Sequence, residues 1–396
     1  MNNDNKKKLT DEQVNSGKKS NKKKKSKKIA LIVLLVVLFL ITALVGFGIS
    51  FVNDKLNLIG YDTESTTIDP NQEFIEKEDD KMDFEEMDDA TGADFQSILK
   101  NWATNGGEKM ISKSVINVLL VGSDASTEEP GRSNITDKGN TDAMILVSID
   151  KVNKTVKLVS FMRDSYTYMD GFDRYAKLNS ACANGGPAYL VETIENDYKI
   201  EIDGYVLVDF DSFRQVIDVL GGVNVDVPQY VANYLSNAKD GTFPSGDNVL
   251  LNGDQALKFS RIRHSDANGD VSRVQRQRQV ITALINKCKG ASLSQINDVA
   301  DVILANVRTN IGKKEILSYA TQAVTNGWAN FTLTEVTMPT PDARSGYSGK
   351  AWIWVVDYPL AAQNLQKELY GTTNIVLEEN RKTALSVMGL RAEKSN

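Results

Sequence analysis

VINVLLVGSD, residues 115–124, is an almost unbroken apolar run that ends in Gly-Ser-Asp. A short run of this kind bounded by turn residues predicts a strand buried on both faces. Two more follow, AMILVSID (143–150) and TVKLVSF (155–161), and residues 151–154 between them read as a hairpin turn. Downstream, GGPAYLVETIENDY (185–198) predicts a helix with Pro187 in its first turn. YVLVDF (205–210) predicts a strand, and DSFRQVIDVLGG (211–222) a helix capped by Asp211 and closed by Gly221 and Gly222. VNVDV (223–227) is a short strand, and helices are expected near 252–259, 272–289, 294–306 and 313–325. FTLTEVTMP (331–339) and WIWVVDY (352–358) are late strands, with a last helix from about Tyr358. Buried strands flanked by helices predict an α/β fold, an αβα sandwich with a mixed central sheet.

Working back towards the N-terminus, the composition becomes uneven. Residues 1–28 hold eleven lysines against Asp4, Asp11 and Glu12, about +8 in a chain whose formal net charge is −6. Residues 29–52 are apolar and carry no charge. At 1.5 Å per helical residue, such a run is long enough for a bilayer core of about 30 Å. Lysines on one side only place the N-terminus in the cytoplasm and the rest of the chain outside. A cleaved signal is the other reading, but its apolar region is shorter, about 7–15 residues. A lysine-rich tail this short holds no folded nucleic-acid-binding domain; orientation and contact with anionic lipid account for it. Residues 53–94 read as an acidic extracellular stalk, because Asp62 to Asp94 hold fourteen acids against Lys77 and Lys81. They lack the alternating ligands and glycine of a calcium loop. The folded unit is expected over 95–396, with a motif core at 115–285.

One segment carries the chemistry. SRIRHSDANGDVSRVQRQRQ (260–279) holds five arginines in an otherwise acidic chain. If RIR is extended, Arg261 and Arg263 project from one face. Arg273, Arg276 and Gln277 share one face of a helix that follows. Guanidinium forks converging from two elements suit phosphate oxygens, which they hold in bidentate fashion. The plain alternative is a solvated charged face with local ion pairs. Asp124, just beyond the first strand, and Asp142, just before the second, meet at one sheet end if those strands are antiparallel neighbours. Two carboxylates beside a phosphate pocket suit Mg²⁺, although an aspartate after a strand is more often a turn residue. Arg163 and Asp164 end the third strand. His264 is the one histidine, which excludes multi-histidine zinc sites and disfavours a Ser-His-Asp triad.

NVLLVGSD, NTDAMILVSID, VSFMRDSY, KLNSACANGGP, DGYVLVDFDSF, DVLGGVNVDVP, LNGDQALKFSRIRHSD and DVSRVQRQRQ stand in this order in the chain. Together they resemble the LytR-CpsA-Psr family. The resemblance implies an extracellular phosphotransferase that moves a glycopolymer from an undecaprenyl-pyrophosphate carrier to a muramic acid hydroxyl of peptidoglycan. The polymer would be teichoic acid, capsule or another wall polysaccharide. The resemblance further implies Mg²⁺ at Asp124 and Asp142. It assigns pyrophosphate to Arg163, Lys177, Arg261, Arg263, Arg273 and Gln277, and places Asp270 near the reacting groups. It counts Arg163, Asp270, Arg261 and Arg263 as catalytic. Implied partners are the polyprenyl-linked polymer, peptidoglycan and the membrane, with no nucleic acid. Two departures stand out: Ser126 and Asn140 occupy positions where the family often has arginine. Cys182 replaces an aromatic in the KLNSA motif. Those losses leave open a catalytically weak polymer- or lipid-binding wall protein. A regulator of envelope-linked transcription is the third reading, disfavoured by so small a cytoplasmic segment.

Overall fold

The computed structural model describes residues 55–62, 68, 73–76, 81–82, 89–123, 141–236, 242–262, 270–290, 293–305, 307–328 and 331–390. The apolar run 29–52 lies outside them, and no helix among the described residues is long and apolar enough to cross a membrane.

The strands, in chain order, begin with β1 (Gly60–Tyr61), β2 (Val115–Ser123), β3 (Thr141–Asp150), β4 (Thr155–Phe161), β5 (Tyr166–Met169), β6 (Arg174–Lys177) and β7 (Gly204–Asp209). They continue with β8 (Val223–Val227), β9 (Gly246–Leu251), β10 (Val307–Thr309), β11 (Thr332–Met338), β12 (Arg344–Ser348) and β13 (Trp352–Val356). The helices are α1 (Asp89–Asn105), α2 (Ser180–Tyr198), α3 (Phe210–Val219), α4 (Gln229–Ser236), α5 (Gly253–Arg261), α6 (Asp270–Gly290), α7 (Leu293–Ala305), α8 (Lys313–Thr325), α9 (Tyr358–Tyr370) and α10 (Ala384–Val387).

Seven strands form the central sheet in the order β1-β10-β7-β2-β3-β4-β11. The sheet is mixed, as expected: β2-β3, β3-β4 and β10-β7 are antiparallel, whereas β2-β7, β4-β11 and β1-β10 are parallel. Side chains of the middle strands alternate between two cores, as the period of two requires. Leu119 and Val121 of β2 with Met144 and Leu146 of β3 face a core shared with α1, α2 and α9. Ile116, Val118, Ile145, Val147 and Ile149 face the opposite core, under α8. Each such residue contributes about 1.5–3 kcal/mol relative to exposure. A third core joins α3–α7 with the β8-β9 hairpin into a lobe beyond β7.

Local chemistry fixes the connections. The Asp150 carboxylate accepts from Val152 and Asn153 N–H, both at 2.9 Å, which folds the turn between β3 and β4. After α3, Gly222 N–H donates to Ile217 O at 2.8 Å and Gly221 N–H to Asp218 O at 2.9 Å. This pair closes the helix with Gly221 at φ +73°, in the left-handed region open to glycine. The helix expected from Gly185 starts earlier, at Ser180, and kinks at Gly186, so Pro187 opens its second part.

Two expectations are corrected. Residues 53–94 are not simply a stalk. Leu56 is fully buried, Gly60–Tyr61 adds an edge strand, and Ile68, Phe74 and Met82 pack on the first core. Dense acids lower the mean hydropathy of the segment, yet a few well-spaced apolar side chains suffice to seat its described parts. Helix α1 also begins before Phe95. Second, Arg261 is not extended. It is the last residue of α5, whose start is fixed by the Asn252–Gln255 capping box and whose buried side carries Ala256 and Phe259. Arg261 and Lys258 in the last turn complement the negative end of the helix dipole.

In the last turn of α2, Asp197 is buried with Oδ1 accepting from Thr167 Oγ1 at 2.8 Å. Burial raises its pKa to about 7, with Thr167, Lys199 and Tyr358 opposing the rise. The folded state therefore holds a proton that the unfolded state has released, and stability falls as pH rises from about 4 to about 7. Asp197→Asn is expected to flatten that slope and to match or exceed the parent in melting temperature above pH 7. A steeper loss for the variant at high pH would show that the carboxylate is stabilised by Lys199 instead.

Candidate active site

The end of β2, the start of β3 and the end of β4 lie at one end of the sheet. Ser123 pairs with Thr141, so the antiparallel pairing expected of the strands bearing Asp124 and Asp142 holds. Asp124 lies outside the described residues, as do Ser126, Asn140, Arg263 and His264, and the side chains of Asp142 and Asp270 do too. Asp142 is placed by its backbone in β3, and Asp270 opens α6.

From β4 the chain passes through Met162 to Arg163, Asp164 and Ser165, whose backbone is held on two sides. Asn179 N–H donates to Arg163 O at 3.1 Å, Leu178 N–H to Ser165 O at 2.8 Å, and Trp354 N–H to Asp164 O at 2.9 Å. Asn179 O in turn accepts from Thr141 N–H at 3.4 Å. The turn at 178–179 thereby ties the first residue of β3 to the arginine after β4. Lys177 ends β6, brought in by its pairing with Tyr166. Asp164 sits between two cations, with Arg163 Nε and Lys177 Nζ each 3.6 Å from its carboxylate. All three are at least nine-tenths buried. Two cations and one carboxylate leave this trio with a net positive charge, in a setting where screening by water is weak.

A second basic group occupies the α5–α6 junction. Arg273 and Arg276 are buried on α6, Gln277 is half-buried beside them, and Arg261 is exposed at the end of α5. Arg276 Nη2 donates to Ile262 O, which ties α6 to the end of α5. Helix α3 starts directly at the end of β7, and β7 runs parallel to β2, so the lobe carrying these arginines departs from the sheet end that holds Arg163. The described contacts bring Arg163, Asp164 and Lys177 together in one group and Arg276 with the Arg261–Ile262 turn in another. Cys182 is buried in the first core, so in the KLNSA segment it serves packing. Among the described residues no three His, Cys, Asp or Glu side chains are grouped as a metal site.

Sequence reasoning does not single out the backbone hub formed by Asn179 and Thr141. Asn179 lies in KLNSA and is 2% exposed, and the polar Lys-Leu-Asn-Ser run before a helix is the signal that could have found it.

A family model described as LytR_cpsA_psr matches residues 79–369. The chain belongs to the LytR-CpsA-Psr family. Among its relatives is the polyisoprenyl-teichoic acid–peptidoglycan teichoic acid transferase TagU of Bacillus cereus, 36% identical over 216 residues. The match covers 54% of this chain and 66% of that protein, just under two thirds of its length. TagV of Bacillus subtilis (strain 168), with the same transferase description, is 36% identical over 214 residues, 53% of this chain and 54% of that protein. Of solved structures, TagT bound to LIIa-WTA superposes with a TM-score of 0.51 at 26% identity, over 68% of this chain and 97% of that one. Protein gbs0355 of Streptococcus agalactiae has a TM-score of 0.55 at 23% identity, over 70% of this chain and 95% of that one, and shares the fold. These structures agree with the mixed α/β sheet described above.

Proposed function

We propose that this chain is a membrane-anchored phosphotransferase. It moves a glycopolymer from a polyprenyl-pyrophosphate carrier to a hydroxyl of muramic acid in peptidoglycan and forms a phosphodiester. The observation that carries this reading is the buried Arg163–Asp164–Lys177 trio at the sheet end where β2, β3 and β4 meet. The transferase names of TagU and TagV support the polymer class.

In this reading the muramoyl oxygen attacks the phosphorus that bears the sugar. The bond from that phosphorus to the bridging oxygen breaks, and polyprenyl phosphate leaves with the electron pair. Arg163, Lys177, Arg261, Arg263, Arg273 and Gln277 hold the phosphate oxygens and offset the charge that develops on them. Asp270, at the start of α6, belongs near the reacting groups, and the hydroxyl proton passes to a base there whose identity this reading leaves open. Catalysis of this kind is mostly positioning and electrostatic stabilisation. Asp124 and Asp142 would hold Mg²⁺, which fits two carboxylates at one sheet end beside phosphate. When bound, that ion supplies charge neutralisation of the pyrophosphate. The test is transfer from a lipid-pyrophosphate donor to peptidoglycan by the purified full chain. A protein that binds donor and releases no polyprenyl phosphate would be a binding protein instead.

The anchor is the 29–52 run, with the N-terminus inside and the folded domain outside. Protease added to intact cells is expected to remove the domain while a cytosolic marker survives. Protection of both would reverse the topology.

A further inference from the structure

Trp352 is 40% exposed, and it stands on an element that reaches the candidate site. Strands β12 and β13 form a two-stranded hairpin in which Ser348 faces Trp352 and Arg344 faces Val356. Trp354 bridges to Ser165 in parallel, and its N–H donates to Asp164 O at 2.9 Å. The stretch 163–165 therefore has two neighbours. On one side the Leu178 and Asn179 N–H groups bind its carbonyls, and on the other side β13 does. Because the bridge is parallel, the residues before Trp354 lie towards the same end as those before Ser165. Trp352 is thus on the Arg163 side of the bridge, two residues from a direct backbone contact with Asp164. Two residues of strand span about 7 Å. Strand β11 leads into the hairpin from the same end: it runs parallel to β4, and Met162 N–H donates to Met338 O at 2.8 Å.

The exposed ring is held in place. With a period of two, Trp352 and Trp354 share a face of the hairpin with Arg344 and Gly346. The two indoles meet edge to face, with centroids 4.6 Å apart and planes at 83°. Arg344 is buried and packs on Trp354, its Cζ 4.6 Å from the ring centre. Gly346 gives the Trp352 ring its room: a Cβ there would lie 3.1 Å from Cζ2 and 3.7 Å from Nε1 of that indole. A rigid, open aromatic face beside charged groups has the chemistry of a sugar platform. One face of a pyranose presents C–H bonds of slight positive charge, which pack on the negative face of an aromatic ring. A ring that is already fixed loses little freedom on binding.

We infer that Trp352 is an acceptor subsite, stacking a pyranose ring of the peptidoglycan glycan strand next to the Arg163–Asp164–Lys177 trio. The inference rests on the proposed reaction and deepens it by naming a residue that positions the acceptor. Two features favour the acceptor over the donor. The attacking hydroxyl belongs to a strand that continues past it, so a neighbouring sugar must lie on an open surface, as the face of Trp352 does. The donor is held through its pyrophosphate, whose charges call for buried cations, which an indole does not supply.

The test uses the full chain and, as probe, a tetrasaccharide of alternating N-acetylglucosamine and N-acetylmuramic acid without stem peptides. Of the four tryptophans Trp352 is the exposed one; Trp328 and Trp354 are buried and Trp102 is half-buried. The tetrasaccharide is expected to protect the tryptophan fluorescence of the parent from quenching by acrylamide. Trp352→Phe is expected to lose that protection. No protection in the parent, or protection that persists in Trp352→Phe and so comes from another indole, overturns the subsite. In transfer assays Trp352→Ala is expected to raise the half-saturating acceptor concentration about tenfold, as for loss of one aromatic anchor. Its half-saturating donor concentration and melting temperature are expected to stay near the parent's, and Trp352→Phe is expected to keep most of the acceptor affinity. A rise for the donor instead assigns the ring to the donor glycan and overturns the proposal, as does unchanged acceptor saturation in folded Trp352→Ala. If Trp352→Ala fails to fold, the quenching of the parent and of Trp352→Phe decides. Protection through Trp352 in a chain that transfers nothing keeps the glycan subsite and overturns the reaction.

Discussion

Arg163→Ala is expected to reduce transfer by about 10²-fold or more, the usual loss when one donor to a charged transition state is removed. Arg163 is 6% exposed and its Nε lies 3.6 Å from Asp164. Removal thus has two consequences that must be separated. Asp164 is left buried with Lys177 as its remaining described cation, which costs stability because a buried carboxylate needs pairing. The phosphate also loses a planar fork. Arg163→Ala/Asp164→Asn removes the first consequence and keeps the second. The double variant is therefore expected to regain melting temperature while transfer stays low. Arg163→Lys is expected to keep the charge and recover only part of the rate, since an ammonium cannot present two parallel donors. Near-parent transfer by a folded Arg163→Ala protein would put the phosphate site elsewhere. Recovery of transfer together with stability in the double variant would make Arg163 a structural partner of Asp164 and nothing more.

What the sequence makes readable is governed by how local the signal is. Strands β2, β3 and β4 announce themselves because each is a nearly continuous apolar run, and Gly221–Gly222 ends α3 because only a left-handed residue closes a helix that way. The start of helix α1, Asp89–Asp94, escapes because it sits inside the acidic run and looks like more of it. The same averaging hides β1, which needs only two residues and a neighbour, β10, nearly 250 positions away. For Arg261 the error has another source: three residues cannot separate a period of two from the last turn of a helix, and the capping box at Asn252 decides it. At the site, residue types are legible but their assembly is not. Arg163, Lys177 and Asp142 are linked through backbone groups of Asn179 and Thr141, and a main-chain carbonyl carries no sequence signature. The family resemblance supplies assignments that spacing alone leaves open, and for Asp124, Arg263 and Asp270 they remain proposals.

Replacing either Asp124 or Asp142 with asparagine is expected to abolish transfer and, with it, the response of the protein to magnesium. The reasoning starts from the paired strands. Ser123 faces Thr141 across the sheet, at the end that also holds Arg163 and Lys177, and Asp124 and Asp142 are their next residues in the chain. If both carboxylates share the proposed site, they would repel each other with no cation between them, and a bound ion would turn that repulsion into attraction. Two readouts follow, one of them independent of turnover. Mg²⁺ should raise the melting temperature of the parent by mass action, and each single variant should lose that increment. Without magnesium, the variants should melt at or above the parent, because one of two like charges has gone. A structural role for the aspartates, as turn caps for example, predicts the reverse: lower melting temperatures with and without the ion, and an unchanged magnesium increment. Variants that keep both the increment and the rate would refute the two-aspartate site, and the phosphate chemistry would then rest on the arginines and Lys177 alone.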